Sequence, residues 1–358
     1  MSKKPHLSNP IHCPLKPIFT LLLTFFLASQ VSFGQQVSLL ENLKQDTAIN
    51  LYLTADWNEI VKNKKEKAYH QAQILLVKGA TDSIALPAQV KARGNIRLEI
   101  CNYPPLKLKF KKSHLAKYNL SGLNEMDIVY PCKQGDLYEQ FILKEYLAYK
   151  LWELVSPYAF HTQLIRIHCL NEDGQVEKEA TYGFLVENSE ETADRLNGKR
   201  VETPSISSKA VEKSSELNMS IFQFMIGNTD WNILNRHNLD FLALPGHTLL
   251  VTIPYDFDYS GLVGTPYAVP HESLKLASVN TRYYQGDCFT EEEVDQHLKI
   301  YREQKENILE TPYHIQGLNE KSIKQTVEYL NQFFDIIDHP QKLKNQIIKH
   351  CGLWPMKN

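Results

Sequence analysis

The sequence predicts an α+β protein of two lobes, a strand-rich N-terminal lobe and a mainly helical C-terminal lobe. Strand-like runs dominate the early chain, and helical spacing dominates the last third. Between Asn188 and Leu217 the chain becomes polar and rich in Ser, Glu and Lys, as expected of a boundary. We therefore expect one lobe over residues 35–188 and the other over residues 189–358.

The first lobe should begin with strands. Ile49–Leu53 alternates between apolar and polar residues, and Ala72–Val77 is an apolar run bounded by Gly79. Leu106–Phe110 also alternates, so Lys107 and Lys109 should share one face of a strand.

A long helix and a strand pair should complete this lobe. Leu137–Val155 carries leucines at helical spacing and is followed by Pro157, which ends the helix. Gln163–Cys169 and Thr181–Val186 indicate two strands around a turn at residues 171–174.

The second lobe should combine helices with one hairpin. An apolar helix over Ile221–Ile226 leads into a polar loop, and Leu239–Leu244 pairs with Leu249–Ile253 around a Pro-Gly turn. Further on, Thr290 and Glu293 have the spacing of a capping box, and Ser322–Ile337 has helical periodicity.

The N-terminus has the pattern of a signal peptide. Basic residues precede an apolar run over Ile18–Ala28 that, at about eleven residues, is too short to span a bilayer. Ser32 and Gly34 are small residues at the −3 and −1 positions, which predicts cleavage before Gln35. We expect an exported protein, periplasmic, secreted or on the cell surface, with no membrane span after signal removal.

Charge and cysteine content narrow the function classes. A formal net charge of −2 argues against a dedicated nucleic-acid partner. Five cysteines follow residue 34, so at most two disulfides can form. Their wide spacing gives no zinc signature, and we expect most of them to be small buried apolar residues.

Candidate chemistry lies in the polar loop and the segment after the next hairpin. The loop contains Asp230, Asn235 and Asn238, and Asp256 and Asp258 flank a Phe after the second hairpin strand. A loop Asp, a later Asn and a strand-end Asp follow in the order used by kinase-type phosphotransferases. Asp230 would orient a hydroxyl or accept its proton, and Asp256 would be the main Mg²⁺ ligand.

Several assignments stay open at this point. Asn235 has the spacing of a kinase metal-binding Asn, whereas Asn238 has the position directly before a strand. Asp258 is a further metal candidate if the strand continues, and His237 lies inside the same loop. Asp and Asn are also ordinary turn residues, and two acids around an aromatic residue are typical of metal-dependent glycosyltransferases as well.

Six segments in order resemble the CotH kinase-like family and, more distantly, the HipA-like kinases. They run from Ala92 to Gly264 and comprise Ala92–Asn95 with its Arg-Gly-Asn element, the Lys-rich strand Pro105–Phe110, the helix segment Leu143–Tyr149, the Gly-containing strand Tyr182–Glu187, the Asp230 loop and the Asp256–Asp258 triplet. The resemblance implies a two-lobed protein-kinase-like fold that binds ATP and Mg²⁺ and phosphorylates Ser or Thr hydroxyls.

The resemblance also implies roles for individual residues. Asp230 takes the place of the catalytic-loop Asp and Asp256 that of the metal-binding Asp. Lys107, with Lys109 as its alternative, would contact phosphate, and Glu145 would be its helix partner. The remaining nucleotide-site candidates that it implies are Arg93, Asn95 and Glu187.

Two departures keep other functions open. No GxGxxG phosphate loop is present, and Tyr103-Pro104-Pro105 replaces the Lys-Pro element of the family. Free ATP is also scarce outside the cytoplasm. A catalytically inactive surface or envelope interaction protein and a glycosyltransferase therefore remain alternatives to a kinase, and the protein substrate or envelope partner stays open.

Overall fold

The computed structural model describes Met1 and residues 37–94, 96–122 and 124–352. Apart from Met1, the predicted signal segment lies outside the described residues, as does Asn95. The strands are β1 Val37–Ser38, β2 Ile49–Ala55, β3 His70–Val77, β4 Ser83–Ala92, β5 Leu106–Phe110, β6 Leu120–Ser121, β7 Glu125–Val129, β8 Thr162–Leu170, β9 Val176–Val186, β10 Lys199–Arg200, β11 Leu239–Ala243 and β12 Val251–Pro254. The α-helices are α1 Leu39–Leu43, α2 Trp57–Lys62, α3 Ile96–Ile100, α4 Lys112–Ala116, α5 Asp136–Val155, α6 Ser189–Arg195, α7 Lys213–Ile226, α8 Glu291–Glu303, α9 Lys305–His314, α10 Glu320–Ile337 and α11 Pro340–Gln346.

Seven strands form a closed barrel in the order β2-β3-β4-β5-β7-β9-β8. Closure comes from β8, which pairs in parallel with β2, while the other neighbours in the barrel pair antiparallel. Alternate side chains point inward and form an apolar core, as in the pattern of Leu106, Leu108 and Phe110 on β5. The opposite face of β5 is therefore free to carry charged residues.

A second apolar core joins the helices to one side of the barrel. It contains side chains from α5 and β9 together with α7, α10 and the hairpin β11–β12. Its largest fully buried side chains include Trp152, Phe184, Phe222 and Phe257. Strands β10, β11 and β12 form a small antiparallel sheet at this core.

The predicted two-lobed, protein-kinase-like fold is wrong. The structure is a closed seven-stranded barrel combined with eleven α-helices within the described residues. The strand pair β8–β9 follows α5 in sequence yet returns to close the barrel, through β8 against β2 and β9 against β7. The second core also unites β9 with α7, so strands and helices are not segregated into two lobes.

Most individual elements agree with the sequence prediction. Strand β5 has the expected bounds, α5 covers the expected range, and Thr290 forms the capping box with Glu293 at the start of α8. Helix α10 ends at Ile337 as expected. Strands β4 and β7, the two barrel neighbours of β5, are absent from the prediction.

Four of the five cysteines after residue 34 form two disulfides, Cys101–Cys132 and Cys288–Cys351. Three of the five, Cys101, Cys132 and Cys169, are buried as expected, whereas Cys288 and Cys351 are not. Among the described residues only Cys169 is free, and it is buried. Disulfides of this kind form and persist in oxidising compartments, in keeping with export.

The described part of the chain contains no helix that is both long enough and apolar enough to cross a membrane.

Candidate functional site

The Asp230 loop is fixed where it leaves α7. Gly227 ends the helix with a left-handed backbone, φ +65°, and a Cβ there would lie 2.0 Å from the Tyr329 hydroxyl. The side chain of the next residue, Asn228, accepts a hydrogen bond from the Asp230 backbone N–H at 3.0 Å. Trp231 is buried and donates to the Asn228 carbonyl. These contacts hold in place the backbone that carries the Asp230 side chain.

Both oxygens of the Asp230 carboxylate are oriented by the end of the same loop. The Asn238 amide donates to Oδ2 at 3.0 Å and to the Asp230 carbonyl at 2.7 Å, and His237 Nε2 lies 2.9 Å from Oδ1. The hydrogen bond to Asp230 raises the pKa of His237. The side chain of Asp230 is 36% exposed. A carboxylate held in this way can accept a proton from a bound hydroxyl.

Asn238 also connects the loop to the segment that carries Asp256. Its carbonyl accepts a hydrogen bond from the Tyr255 backbone N–H at 3.1 Å, one residue beyond the β11–β12 pairing. Asp256 has a left-handed backbone, φ +59°, and its N–H donates to the Tyr149 hydroxyl of α5 at 3.0 Å. The structure thus brings the two halves of the predicted site together.

Asp258 lies beside Asp256 although β12 ends before both, at Pro254. Between them, Phe257 is fully buried against Tyr149 and Phe222, with ring centroids 4.8 Å and 5.6 Å away. The two carboxyl groups are close enough to affect each other's pKa, and Asp258 raises that of Asp256. The buried aromatic residue between them therefore anchors both acids.

Arg97 of α3 is the centre of this acidic group. Its guanidinium donates to Asp258 Oδ2 from Nη2 at 2.6 Å and from Nε at 3.1 Å, and to Glu145 Oε2 at 3.2 Å. Asp256 Oδ1 lies 4.0 Å from Nη2 of Arg97. Tyr267 donates to Asp258 Oδ2 at 2.9 Å. The Arg97 guanidinium therefore lies within 4.0 Å of the carboxyl groups of Asp258, Glu145 and Asp256.

The three acids differ in how readily they ionise. Burial raises the pKa of Glu145, and burial together with the neighbouring Asp258 raises that of Asp256. Burial opposes ionisation of Asp258 as well, but Arg97 outweighs it and lowers the pKa. Asp258 is thus the ionised partner of Arg97, and Asp256 holds its proton more readily. The Asp256 side chain is nevertheless 43% exposed at the cavity that it lines, so its raised pKa reflects a position inside a recessed site beside Asp258 and not complete removal from solvent.

A cavity of about 410 Å³ opens beside Asp256. Its cationic lining residues are Arg93, Arg97, Lys107 and Arg200. Its acidic lining residues are Glu125, Asp127, Glu145, Glu187, Glu190, Asp240 and Asp256. Apolar wall is provided by Val129, Tyr149, Phe160 and Val186. A space of this size lies in the range of small-ligand sites.

Lys107 reaches this cavity, and Lys109 is not among its lining residues. The register of β5 against β7 places Lys107 opposite Asp127 and Lys109 opposite Glu125. The corresponding ion pairs measure 2.9 Å and 3.2 Å, and Arg93 adds a contact to Asp127 at 3.4 Å. Glu145, the expected partner of Lys107, is instead bound to Arg97.

Other predicted residues have local structural contacts. Glu187 lines the cavity but is bound by Arg195 through both oxygens, at 2.9 Å and 2.8 Å. Asn235 is exposed, and its side-chain oxygen accepts from the His237 backbone N–H inside the loop. The structure favours Asn238 over Asn235 as the residue next to the acids.

The donor set suits Mg²⁺ only as a partner of a bound phosphate. Among the described residues no three or more His, Cys, Asp or Glu side chains form a metal-binding group. Mg²⁺ in phosphotransferases, however, takes one or two carboxylates and completes its shell with phosphate and water. Asp256 faces the cavity, whereas one oxygen of Asp258 is engaged by Arg97 and Tyr267. Asp256 is therefore the residue that would hold the ion.

Arg97, Asp127 and Tyr149 were missed by the sequence prediction. Arg97 lies three residues after Gly94 in the short helix α3, which also carries Glu99, and a charged residue in such a helix is a weak signal. Its partner Asp258 is 161 residues away in sequence. Nothing local in either segment indicates that they meet.

No protein-family model matches the chain, and no curated protein matches it either.

Proposed function

We propose that the chain is a Mg²⁺-dependent phosphotransferase that moves the γ-phosphoryl group of ATP to a hydroxyl, such as that of a protein Ser or Thr. The observation that carries this proposal is the position of Asn238. It binds the Asp230 carboxylate through its side chain and the Asp256 segment through its carbonyl. A candidate base and a candidate metal ligand are therefore linked through Asn238, and Asp256 borders a cavity whose lining includes four cationic side chains beside its seven acidic ones.

The residues have distinct roles in this proposal. Asp230 orients the acceptor hydroxyl and takes its proton, and Asn238 and His237 fix the carboxylate. Lys107 and Arg93 bind phosphate oxygens at the barrel wall. Asp256 holds Mg²⁺, which neutralises charge on the phosphates. Arg97 keeps Asp258 ionised and positions the acids.

The experiment is turnover of ATP by the chain from Gln35 onwards, with Asp230→Asn as the test variant. Phosphate transfer to water or to hydroxyl-bearing peptides should require Mg²⁺. The variant should retain Mg²⁺-dependent nucleotide binding and lose turnover about 10²-fold or more, because only the proton acceptor is removed. Equal turnover in wild type and variant would rule out Asp230 as the base.

One observation favours a non-catalytic surface or envelope interaction protein as the second candidate. Lys107 and Arg93 already contact Asp127, and Arg97 contacts Asp258. A phosphate must displace these carboxylates before it can bind. If replacement of both Asp230 and Asp256 leaves the cellular role intact, this second candidate is supported. Calorimetry with ATP and with a sugar nucleotide separates a kinase from a glycosyltransferase.

We further propose that the protein acts outside the cytoplasm, in the periplasm, at the cell surface or as a secreted protein. The two disulfides support this location. Cell fractionation with N-terminal sequencing tests it. The expected mature protein begins at Gln35 and is found outside the cytoplasm, whereas an uncleaved chain in the cytoplasm would contradict export.

A further inference from the structure

A second cavity, of about 300 Å³, shares no lining residue with the cavity beside Asp256. It opens to solvent and is lined by the end of α5, residues 156–158, the start of α7, the β11–β12 hairpin and α8. Its apolar wall comprises Trp152, Val155, Pro157, Val251 and Ile300. Such a wall suits the hydrocarbon part of a small ligand.

Three polar side chains from separate elements form a hydrogen-bonded chain in this cavity. Glu212 Oε2 contacts His247 Nδ1, and His247 Nε2 lies 2.9 Å from the Tyr158 hydroxyl. The carboxylate holds the imidazole proton on Nδ1, so Nε2 accepts the proton of the phenol. The Tyr158 oxygen then retains lone pairs that can accept from a ligand. The Tyr158 oxygen is therefore a hydrogen-bond acceptor for a ligand in this cavity.

His297 of α8 offers a second acceptor in the same cavity. Its Nδ1 lies 2.9 Å from the Glu293 carbonyl oxygen. Because a carbonyl only accepts, Nδ1 must carry the proton, and Nε2 of the neutral ring is an acceptor. The cavity thus presents two acceptor groups next to its apolar wall.

The charged side chains that line this cavity indicate which class of ligand it can bind. None of the described residues that line this cavity is Lys or Arg, and Glu212 is its one acidic residue. The hydrogen bond from His247 lowers the pKa of Glu212, so this carboxyl group is ionised at neutral pH. Trp152 and Tyr158 add aromatic rings, which attract cations. An anion would meet a carboxylate and no countercharge.

We propose that this cavity is a binding site for a small primary amine with an apolar or aromatic body. The ammonium group donates to Tyr158 Oη and His297 Nε2 and is attracted by Glu212. The body packs against Val155, Val251 and the neighbouring apolar side chains. This site is independent of the Asp230–Asp256 site and of its proposed phosphotransfer.

Three probes with one body and different head groups test this site: phenethylamine, phenethyl alcohol and phenylacetate. Calorimetric titration of the chain from Gln35 onwards should show saturable binding of the amine and about tenfold weaker binding of the alcohol, because a charged donor makes the stronger hydrogen bond. Phenylacetate should not bind. Equal binding of all three probes, or binding of none, would overturn the proposal.

Two variants assign the binding to this cavity. Glu212→Gln keeps an oxygen that accepts from His247 and removes only the charge, so amine affinity should fall about tenfold while alcohol affinity stays unchanged. Ile300→Phe fills the cavity and should abolish binding of both probes. Glu320→Gln, at the exposed start of α10, is the matched control and should bind like wild type. Wild-type amine affinity in both Glu212→Gln and Ile300→Phe would place the amine elsewhere and overturn the proposal, and thermal unfolding verifies that each variant is folded.

Discussion

Arg97 and Asp258 form a buried ion pair with two hydrogen bonds, at 2.6 Å and 3.1 Å, across 161 residues of sequence. Their side chains are only 14% and 7% exposed. Arg97 also binds Glu145, so it ties α3 and α5 to the segment after β12. This pair therefore connects α3, which lies between the barrel strands β4 and β5, to the acidic segment after β12.

Replacement of Arg97 by Gln should destabilise the protein strongly. Asp258 and Glu145 would remain buried without their cation, which typically costs about 3–5 kcal/mol. Urea unfolding at neutral pH measures the change. Lys299→Gln, which removes an ion pair that is 76% and 61% exposed, is the control and should cost less than about 1 kcal/mol. Similar unfolding free energies for both variants would contradict this role of Arg97.

Glu216 should make stability depend on pH. Burial, with Asp287 nearby, raises its pKa from 4.5 to about 7. The folded protein therefore binds more protons than the unfolded chain between these values, so the unfolding free energy falls as pH rises through this window. The loss should be on the order of 1–3 kcal/mol.

The variant Glu216→Gln should remove the part of this loss that Glu216 contributes, because an amide does not titrate, whereas the buried acids Glu145, Glu191 and Asp256, whose pKa values are also raised, keep their contributions. Urea unfolding at about pH 5 and about pH 8, on either side of the window, measures it. Glu320→Gln, an exposed control, should lose stability like wild type. An undiminished pH effect in Glu216→Gln would show that other groups cause it.

The sequence left open whether Asn235 or Asn238 belongs to the site, and the structure gives the two side chains different contacts. Asn238→Ala removes the amide that orients the Asp230 carboxylate, and misplacement of a catalytic group typically costs about 10²-fold in turnover. Asn235→Ala removes only a contact to the His237 backbone and should cost less than about threefold. Steady-state kinetics measures both variants. A larger loss in Asn235→Ala than in Asn238→Ala would reverse the assignment.

The two lysines of β5 should also differ. Lys107 lines the cavity, so Lys107→Met should weaken ATP binding about tenfold or more through loss of a charged contact. Lys109 is not among the lining residues and pairs with Glu125, so Lys109→Met should leave ATP affinity within about twofold. Nucleotide titrations of both variants provide the comparison, and equal losses would contradict the selection of Lys107.

The cysteines provide a test that needs no ligand. Cys169 is buried, and burial raises the pKa of its thiol to about 12, so iodoacetamide should label the oxidised chain from Gln35 onwards only after unfolding. Mass spectrometry should then find one label per chain. A reductant should lower the melting temperature, since each disulfide typically contributes about 2–4 kcal/mol. Cys169→Ala is the control, because its melting temperature should fall equally with reductant.

Local sequence patterns predicted local structure well. The alternation in Leu106–Phe110 and the leucine spacing in α5 are properties of neighbouring residues, and both elements have the expected type. Strand β4 was missed although its buried residues alternate, because it contains Pro87, which argues against a strand inside a sheet. The overall fold depends on the pairing of β8 with β2 across more than a hundred residues, and no local pattern encodes that pairing.

In the site, too, contacts between neighbouring segments could be predicted from the sequence, whereas contacts between distant segments could not. The order of Asp230, Asn238 and Asp256 could be read from the sequence, because they lie in one loop and the hairpin that follows it. In the structure, Asn238 binds the Asp230 carboxylate and the backbone of Tyr255, the residue before Asp256. The partner of Glu145 was not visible, because Arg97 lies on a separate helix, α3, that only the folded chain brings to α5. Contacts within a hairpin follow from sequence, whereas contacts between distant elements follow from the packing.

Calorimetric titration of the chain from Gln35 onwards with ATP, in the presence and absence of Mg²⁺, tests the central claim most directly. Saturable binding that requires Mg²⁺ and is lost in Asp256→Asn, while Asp230→Asn still binds, is the predicted result. Asp256→Asn preserves the shape of the side chain, so thermal unfolding should confirm that it is folded. No heat of binding with Mg²⁺ and ATP, or equal binding by wild type and Asp256→Asn, would contradict the proposed nucleotide site.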